Sequence, residues 1–226
     1  MTTPYYTDDY CTIYHGDCRE IIGGLAADLV VTDPPYNVVN RDSEGLRNLD
    51  RGAADSEPID AQYVAEAVAL AVTGSAYVWC GSEQLSTLRA TFINRGMSTR
   101  TGVWQKTNPS PMNGERMWLS AVELCVFARH PKATFHPHCK APVWLGPTQP
   151  REDHPTAKPI WLFATLVDAS SDYGDTVLDP FMGSGTTLRA AKTLGRKAVG
   201  IELEERYCEI AAKRLAQEVL DFGGAA

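Results

Sequence analysis

Apolar runs of strand type alternate with amphipathic, alanine-rich runs along most of the chain. Such an alternation is typical of a mainly parallel sheet with helices packed on its faces. It predicts an α/β fold with a mostly parallel, seven-stranded sheet flanked by helices. The predicted strands are Cys11–His15, Asp28–Thr32, Ala76–Cys80, Thr99–Trp104, Val122–Ala128, Thr176–Asp179 and Ala198–Glu202. The predicted helices are Asp60–Val72, Glu83–Asn94, Pro159–Ala169, Ser184–Leu194 and Glu204–Leu220.

Two stretches do not follow this alternation. Residues 37–58 contain five acidic residues and three arginines without clear periodicity, which predicts a mobile loop beside a strand end. Residues 128–153 contain five prolines, which exclude a long helix there. A second full domain would leave both halves of a 226-residue chain small, so we expect one domain over residues 1–226 with an insertion near 107–153.

The distribution of charge says more than the net charge of -7. Residues 85–151 hold nine Lys and Arg against two Asp and Glu, so this stretch carries +7 and the remainder -14. A basic middle in an acidic body predicts that a polyanion is drawn into one groove. A solvated basic face explains the same charges equally well.

Composition and cysteine usage point to the interior of a cell. No apolar run approaches the ~20 residues that span a bilayer, and the N-terminus lacks the features of a secretory signal. The six cysteines form no CxxC pair and are predicted to be reduced packing residues. We therefore expect a cytoplasmic protein with no membrane partner. His136, His138 and Cys139 are too few for a stable zinc site, so no metal is predicted.

The first motif with chemical meaning is a strand that ends abruptly at Asp33, Pro34, Pro35 and Tyr36. In an open α/β sheet the C-terminal ends of the strands form the ligand crevice, so Asp33 should lie in it. The prolines have no backbone N–H, so the turn presents mainly acceptors, which suit an amino group. Acceptors on both hydrogens of a base amine would free its lone pair, and Tyr36 would stack on the base. An ordinary strand-ending turn is the alternative.

The second motif is a strand, a glycine turn and a helix start. Gly183 and Gly185 allow a ligand to approach the backbone closely. Position 188 is leucine rather than the third glycine of a nicotinamide fingerprint, and Asp179 would repel a pyrophosphate. Glu202 ends the next strand, where an acid hydrogen-bonds ribose hydroxyls. The cofactor implied is a positively charged nucleoside without phosphate, a description that S-adenosylmethionine meets.

A third motif, His154 to Pro159, comes just before a predicted helix. Thr156 is able to cap that helix, and Lys158 is able to meet a carboxylate near its N-terminus. Taken alone, a simple helix cap explains this segment better than a ligand site does.

Taken together and in this order, the motifs resemble the amino-group DNA methyltransferases, in the circularly permuted class whose catalytic motif precedes the cofactor motif. The resemblance covers residues 10–36 and 154–215, with weaker similarity at Val103–Lys106 and Ala121–Phe127. It implies a Rossmann-like S-adenosylmethionine-dependent methyltransferase fold that acts on double-stranded DNA. Asp17 would lie by the cofactor's adenine, although a helix cap is its alternative. The implied catalytic residues are Asp33, Pro34, Pro35 and Tyr36. The implied cofactor-binding residues are Asp17, His154, Thr156, Lys158, Asp179, Phe181, Gly183, Ser184, Gly185, Thr186 and Glu202.

The first residue of the catalytic tetrapeptide bears on the target base. Asp33 favours adenine N6, because serine is commoner there in the cytosine-N4 enzymes of the family. Protein-glutamine methyltransferases normally begin this tetrapeptide with asparagine, which counts against them. A catalytically silent module that binds S-adenosylmethionine or nucleic acid is the remaining alternative. We predict a site-specific adenine-N6 DNA methyltransferase of a bacterial or phage-infected cell, and a partner restriction enzyme stays open.

The region available for recognising DNA is short, Thr107–Asp153, so a homodimer is a candidate arrangement. Four tryptophans in and around it are predicted to be core residues rather than stacking platforms: Trp104, Trp118, Trp144 and Trp161. Six basic residues are candidates for contacts to the DNA backbone, although a solvated loop explains each one at least as well: Arg41, Arg47, Arg51, Arg129, Lys132 and Lys140.

Overall fold

The computed structural model describes residues 3–35, 59–111, 114–148 and 158–217. They form one mixed sheet in the order β1-β2-β9-β8-β3-β4-β6-β5-β7. Its strands are β1 Tyr6–Thr7, β2 Cys11–His15, β3 Ala27–Thr32, β4 Val72–Cys80, β5 Ser98–Lys106, β6 Val122–Arg129, β7 Val143–Gly146, β8 Thr176–Asp179 and β9 Lys197–Glu202. The helices are α1 Cys18–Ile21, α2 Ala61–Ala71, α3 Leu85–Asn94, α4 Ile160–Ser170, α5 Thr186–Thr193 and α6 Glu205–Ala216, with a 3₁₀ turn at Ile22–Gly24.

The prediction of a mostly parallel sheet is confirmed, but the predicted number of strands is wrong. β2, β9, β8, β3 and β4 run parallel to their neighbours in that order, whereas β6 lies antiparallel between β4 and β5. The described residues hold nine strands rather than seven, because β1 and β7 also pair with the edges. These edge strands have two and four residues, which is too short for a periodic pattern to be recognised.

Strand β3 shows how the two faces of the sheet are covered. Leu29 and Val31 pack in a cluster with residues of α4, α5 and α6, whereas Val30 packs with residues of α2 and α3. Successive side chains of a strand point to opposite faces, so helices must cover both sides. This two-sided burial explains why β3 reads as a continuous apolar run.

The strand order of the sheet reverses between β8 and β3, because the chain continues from β3 to β4 on one side and from β8 to β9 on the other. The two strands are parallel, with Leu29 opposite Val177 and Val30 opposite Leu178, while β9 and β4 lie on their outer sides. Such a topological switch point opens a crevice at the carboxyl ends of the strands. Asp33 and Asp179 stand at these two ends, so the fold brings the first and second sequence motifs together.

Two predictions about packing need correction. Trp104 is buried, and Trp144 and Trp161 pack partly buried against the core, but Trp118 is 97% exposed in the connection between β5 and β6. Five cysteines are buried as predicted, whereas Cys139 is exposed and has a φ of 52°. Both exceptions lie in connections between strands. Within the described ranges, no helix is long and apolar enough to cross a bilayer.

Candidate active site

Asp33 lies directly after β3 and is held by a lysine from a distant part of the chain. The Nζ atom of Lys158 is 2.5 Å from Oδ2 of Asp33 and 3.0 Å from Oε2 of Glu123. Glu123 in turn accepts from Lys106, whose Nζ lies 2.5 Å from Oε1. The four side chains form an alternating row of two carboxylates and two ammonium groups.

Burial makes this row of charges strongly coupled. The side chain of Lys158 is only 6% exposed, and its Nζ lies 5.4 Å from the centre of the Trp79 ring. Burial alone would lower the pKa of Lys158, but the carboxylates of Asp33 and Glu123 outweigh it, so the pKa is raised. Burial would likewise raise the pKa of Glu123, but Lys158 and Lys106 lower it. Lys158 and Glu123 are therefore both charged at neutral pH.

The glycine turn between β8 and α5 depends on left-handed backbone. Gly183 and Gly185 have φ angles of 50° and 78°, and Gly185 is the N-cap residue of α5. A Cβ atom at Gly185 would lie 2.9 Å from Cβ of Ala211 on α6, which is closer than side chains pack. Helix α5 therefore begins at Thr186 rather than at the predicted Ser184. The carbonyl and hydroxyl oxygens of Ser184 both accept from Arg214 Nη1.

Asp179 ends β8 and points into the protein. Its Oδ1 accepts from Thr32 Oγ1 at 2.7 Å and from Phe181 N at 3.1 Å, and its Oδ2 accepts from Thr187 Oγ1 at 2.5 Å. Burial raises the pKa of this carboxyl to about 6, because these hydrogen bonds offset only part of the lost hydration. With 2% of its surface exposed, Asp179 ties β3 to the glycine turn. Its contact with a cofactor stays a prediction.

Glu202 ends β9 and faces the glycine turn. Its Oε2 accepts from Gly183 N at 2.9 Å, and its Oε1 accepts from Glu204 N at 2.8 Å. Burial raises the pKa of this carboxyl to about 7, even though both N–H groups favour the ionised form. A carboxylate oxygen has room for about two donors, so each oxygen keeps capacity for a ligand hydroxyl.

Asp17 lies at the same edge of the sheet, beyond β2. Strand β2 pairs with β9 so that His15 stands opposite Glu202. The carboxylate of Asp17 caps α1 through Arg19 N at 2.9 Å and also pairs with the guanidinium of Arg19, which holds its pKa below the ordinary value. The helix-cap interpretation of Asp17 is thus confirmed, and its cofactor contact remains a prediction.

Glu123, Lys106 and Trp79 complete the site and were not identified from the sequence. Trp79 also lines a small cleft beside the two prolines after Asp33. The lining residues of this cleft are Pro34, Pro35, Ile59, Ala61, Val64, Trp79, Gln84 and Leu88. Six predicted site residues lie outside the described ranges: Tyr36, Arg41, Arg47, Arg51, His154 and Thr156.

The three described candidates for contacts to DNA do not gather around Asp33. Strand β6 runs antiparallel to β4, so Arg129 stands opposite Ser75, at the end of the sheet away from Asp33. Its guanidinium donates to Ala133 O at 2.6 Å, and Lys132 is exposed close by. Lys140 is exposed and precedes β7 in the chain. Strand β7 runs parallel to β5, whose last residue, Lys106, lies at the catalytic edge, so Lys140 lies before the end of β7 that is farther from this edge. This placement argues against all three as contacts for DNA bound at Asp33.

The fold and the crevice define a Rossmann-like methyltransferase, and comparisons with known proteins show what the chain is similar to. A family model described as DNA methylase matches residues 137–213. The Type II methyltransferase M2.DpnII of Streptococcus pneumoniae is 29% identical over 96% of this chain and 94% of its own length. These matches make the chain similar to amino-group DNA methyltransferases, whereas assignment to the permuted class stays a prediction.

Solved structures share this fold. The M1.HpyAVI–SAM complex has a TM-score of 0.74 and 28% identity, and the match covers 92% of this chain and all 100% of that one. The cytosine-N4-specific PvuII DNA methyltransferase also has a TM-score of 0.74, over 97% of this chain and 91% of its own. Its identity is only 18%, so this second likeness shows the fold alone.

Proposed function

We propose that the protein transfers a methyl group from S-adenosylmethionine to the exocyclic N6 amino group of adenine, at specific sites in double-stranded DNA. The observation that carries this proposal is the position of Asp33. Its carboxylate follows β3 at the switch point, next to the glycine turn after β8, and a buried lysine holds it. An acceptor fixed beside a nucleoside-binding turn is what activation of a base amine requires.

The residues around the glycine turn fit the proposed cofactor. Gly183 and Gly185 leave the backbone bare, and Glu202 keeps acceptor capacity for two ribose hydroxyls. Asp17 stands next to the end of β9, on the side where the adenine of the cofactor would lie. When bound, S-adenosylmethionine supplies a methyl group activated by its positively charged sulfur.

Asp33 performs the chemical task that the protein itself supplies. An exocyclic amine is a poor nucleophile because its lone pair is delocalised into the ring. Hydrogen bonds from the amine to the Asp33 carboxylate and to a backbone carbonyl of the proline turn favour the pyramidal nitrogen and free that lone pair. Pro34 and Pro35 contribute no competing N–H. The target base must first leave the duplex, which costs a few kcal/mol of stacking and pairing.

The connection between β5 and β6 is our proposed contact surface for the duplex. It starts and ends at the catalytic edge, because Lys106 and Glu123 at its two ends belong to the row of charges around Asp33. Within it, Trp118 is 97% exposed and its neighbour Met117 is 66% exposed, with Arg116 also exposed beside them. A solvent-facing aromatic beside a cation suits a nucleic acid, because a base stacks on the ring while the cation meets a phosphate.

The base and the sequence context are tested together in living cells. DNA from cells that express the protein is sequenced with a method that distinguishes N6-methyladenine from N4-methylcytosine. We expect N6-methyladenine at one short motif, and a much smaller fraction of modified sites in cells that express Asp33→Ala at the same level. N4-methylcytosine at a motif would support DNA methyltransferase activity but contradict adenine as the target base. Unmodified DNA would contradict the proposed activity. A homodimer is tested separately by the mass of the purified protein in solution.

A further inference from the structure

We propose that Glu123 is a positioning residue for methyl transfer, which acts through Lys158 to fix the orientation of the Asp33 carboxylate. This inference rests on the proposed function, since it assigns a role within the same site. Glu123 lies near the start of β6, far in sequence from both of its partners, and it belongs to none of the three motifs that the sequence displays.

Lys158 is held in place by residues on or next to three strands. Its ammonium group meets Asp33 after β3 and Glu123 on β6, and it lies over the ring of Trp79 on β4. β3, β4 and β6 are consecutive neighbours in the sheet, so their relative positions are fixed by backbone hydrogen bonds. A flexible four-carbon side chain is thereby held at one point.

Glu123 is itself fixed. Its Oε1 lies 2.5 Å from Lys106 Nζ, and Lys106 lies at the end of β5, the strand that pairs with β6. Lys106 also stands 5.5 Å from the centre of the Trp104 ring, which is buried. The carboxylate of Glu123 therefore cannot turn away from Lys158 without breaking a second ion pair.

The fixed position of Lys158 matters for catalysis. Transfer to an amine requires the acceptor to point at the amine hydrogens, and a misplacement of about 1 Å is able to cost about 100-fold in rate. Lys158 bonds to Oδ2 of Asp33 and so sets the rotation of that carboxylate. Without Glu123, one of the two carboxylates that hold Lys158 is lost.

The loss of Glu123 also has a consequence for pH dependence. Burial lowers the pKa of Lys158, and the charges of Asp33 and Glu123 raise it, so removal of Glu123 leaves Asp33 alone against burial and the pKa falls below its wild-type value. Lys158 would then lose its proton, and with it the ion pair to Asp33, at a lower pH than in the wild type. Cys80 and Cys125 have pKa values raised by burial and stay protonated, and Asp179 titrates near pH 6, below the range of interest. The described titratable groups near Lys158 and its carboxylate partners are Asp33, Lys106, Glu123, Cys80, Cys125 and Asp179.

The test compares Glu123→Gln, Glu123→Asp and a control, Glu209→Gln, which breaks an exposed ion pair with Lys213 on α6. Single-turnover methyl transfer to DNA is measured between about pH 7 and 10, with calorimetry for binding of S-adenosylmethionine and thermal unfolding for folding. We expect Glu123→Gln to react about 10- to 100-fold more slowly with unchanged cofactor affinity, and its rate to fall at a lower alkaline pH than that of the wild type.

The conservative variant separates positioning from a loss of folding. Glu123→Asp keeps the charge but is one methylene shorter, so we expect a reduced rate with the alkaline limb at the wild-type pH. If Glu123→Gln does not fold, the rate and pH profile of Glu123→Asp alone test the role of Glu123. Wild-type rates and pH profiles in both variants would overturn the role of Glu123. A wild-type protein that methylates neither adenine nor cytosine in DNA would instead overturn the proposed function.

Discussion

Glu202 offers a quantitative test of the electrostatics of the cofactor crevice. Burial raises the pKa of this carboxyl from the ordinary 4.5 to about 7, despite hydrogen bonds from Gly183 N and Glu204 N. The folded protein therefore holds a proton that the unfolded chain releases near pH 4.5. This contribution to stability is fully present below pH 4.5 and is lost as the pH rises through about 7.

The magnitude follows from the same two values. A change from 4.5 to about 7 corresponds to about 3 kcal/mol, because one pKa unit is worth about 1.36 kcal/mol. Only 7% of Glu202 is exposed, so solvent screens little of this effect. Glu202→Gln has no proton to release. We therefore expect the free energy of unfolding to fall more steeply for the wild type than for the variant between about pH 4.5 and 7.

The assay is urea unfolding of both proteins, without cofactor, followed by circular dichroism at several pH values. The variant is expected to be the less stable protein at low pH, because its amide NH2 group cannot accept from one of the two backbone N–H donors. The difference in the free energy of unfolding between the two proteins should narrow by up to about 3 kcal/mol at high pH. Titrating groups that do not interact with Glu202 are common to both proteins and cancel in the difference, whereas Asp179 and Glu204, whose charges raise the pKa of Glu202, contribute to it. Parallel pH curves for the two proteins would refute the reasoning.

Three further predictions concern the turn, the DNA surface and the cofactor. Gly185→Ala should destabilise the protein more than Gly96→Ala in thermal unfolding, because both glycines have a φ of 78° but only Gly185 would bring a Cβ against Ala211. Equal losses would show that the contact with α6 is unimportant. Trp118→Ala should leave the unfolding temperature unchanged and weaken DNA binding by about 1–3 kcal/mol in a fluorescence-anisotropy titration, the usual value of one base stack. An unaltered affinity would remove this tryptophan from the contact surface. Binding of S-adenosylmethionine should tighten between about pH 6 and 8, because ribose hydroxyls favour ionised Glu202, and a pH-independent affinity in calorimetry would contradict this contact.

The parts of the fold that could be predicted are those in which local pattern and topology agree. Strand β3 reads as an apolar run because both of its faces are buried, and Asp33 follows because the chain must leave the sheet there. The glycine turn was identified because left-handed backbone at Gly183 and Gly185 needs that residue type. In each case one short segment of sequence contains the whole physical reason.

The parts that could not be predicted depend on which strands are neighbours. Glu123 becomes part of the site only because β6 lies antiparallel beside β4, which brings its first residues to the end of β4 near Asp33. The same reversal carries Arg129 to the far end of the sheet, although its charge had suggested a contact to DNA. Trp118 was expected in the core from its residue type, but it lies 97% exposed in the connection between β5 and β6.

The role of Asp33 is tested most directly by the rate of a single methyl transfer by Asp33→Ala, measured together with its affinity for S-adenosylmethionine. We expect a rate reduced by about 100- to 1,000-fold, the usual cost of losing one preorganised polar group in an active site, with the cofactor affinity largely retained. A folded Asp33→Ala protein that methylates DNA at a near-normal rate would contradict the role of the carboxylate as the group that activates the amine.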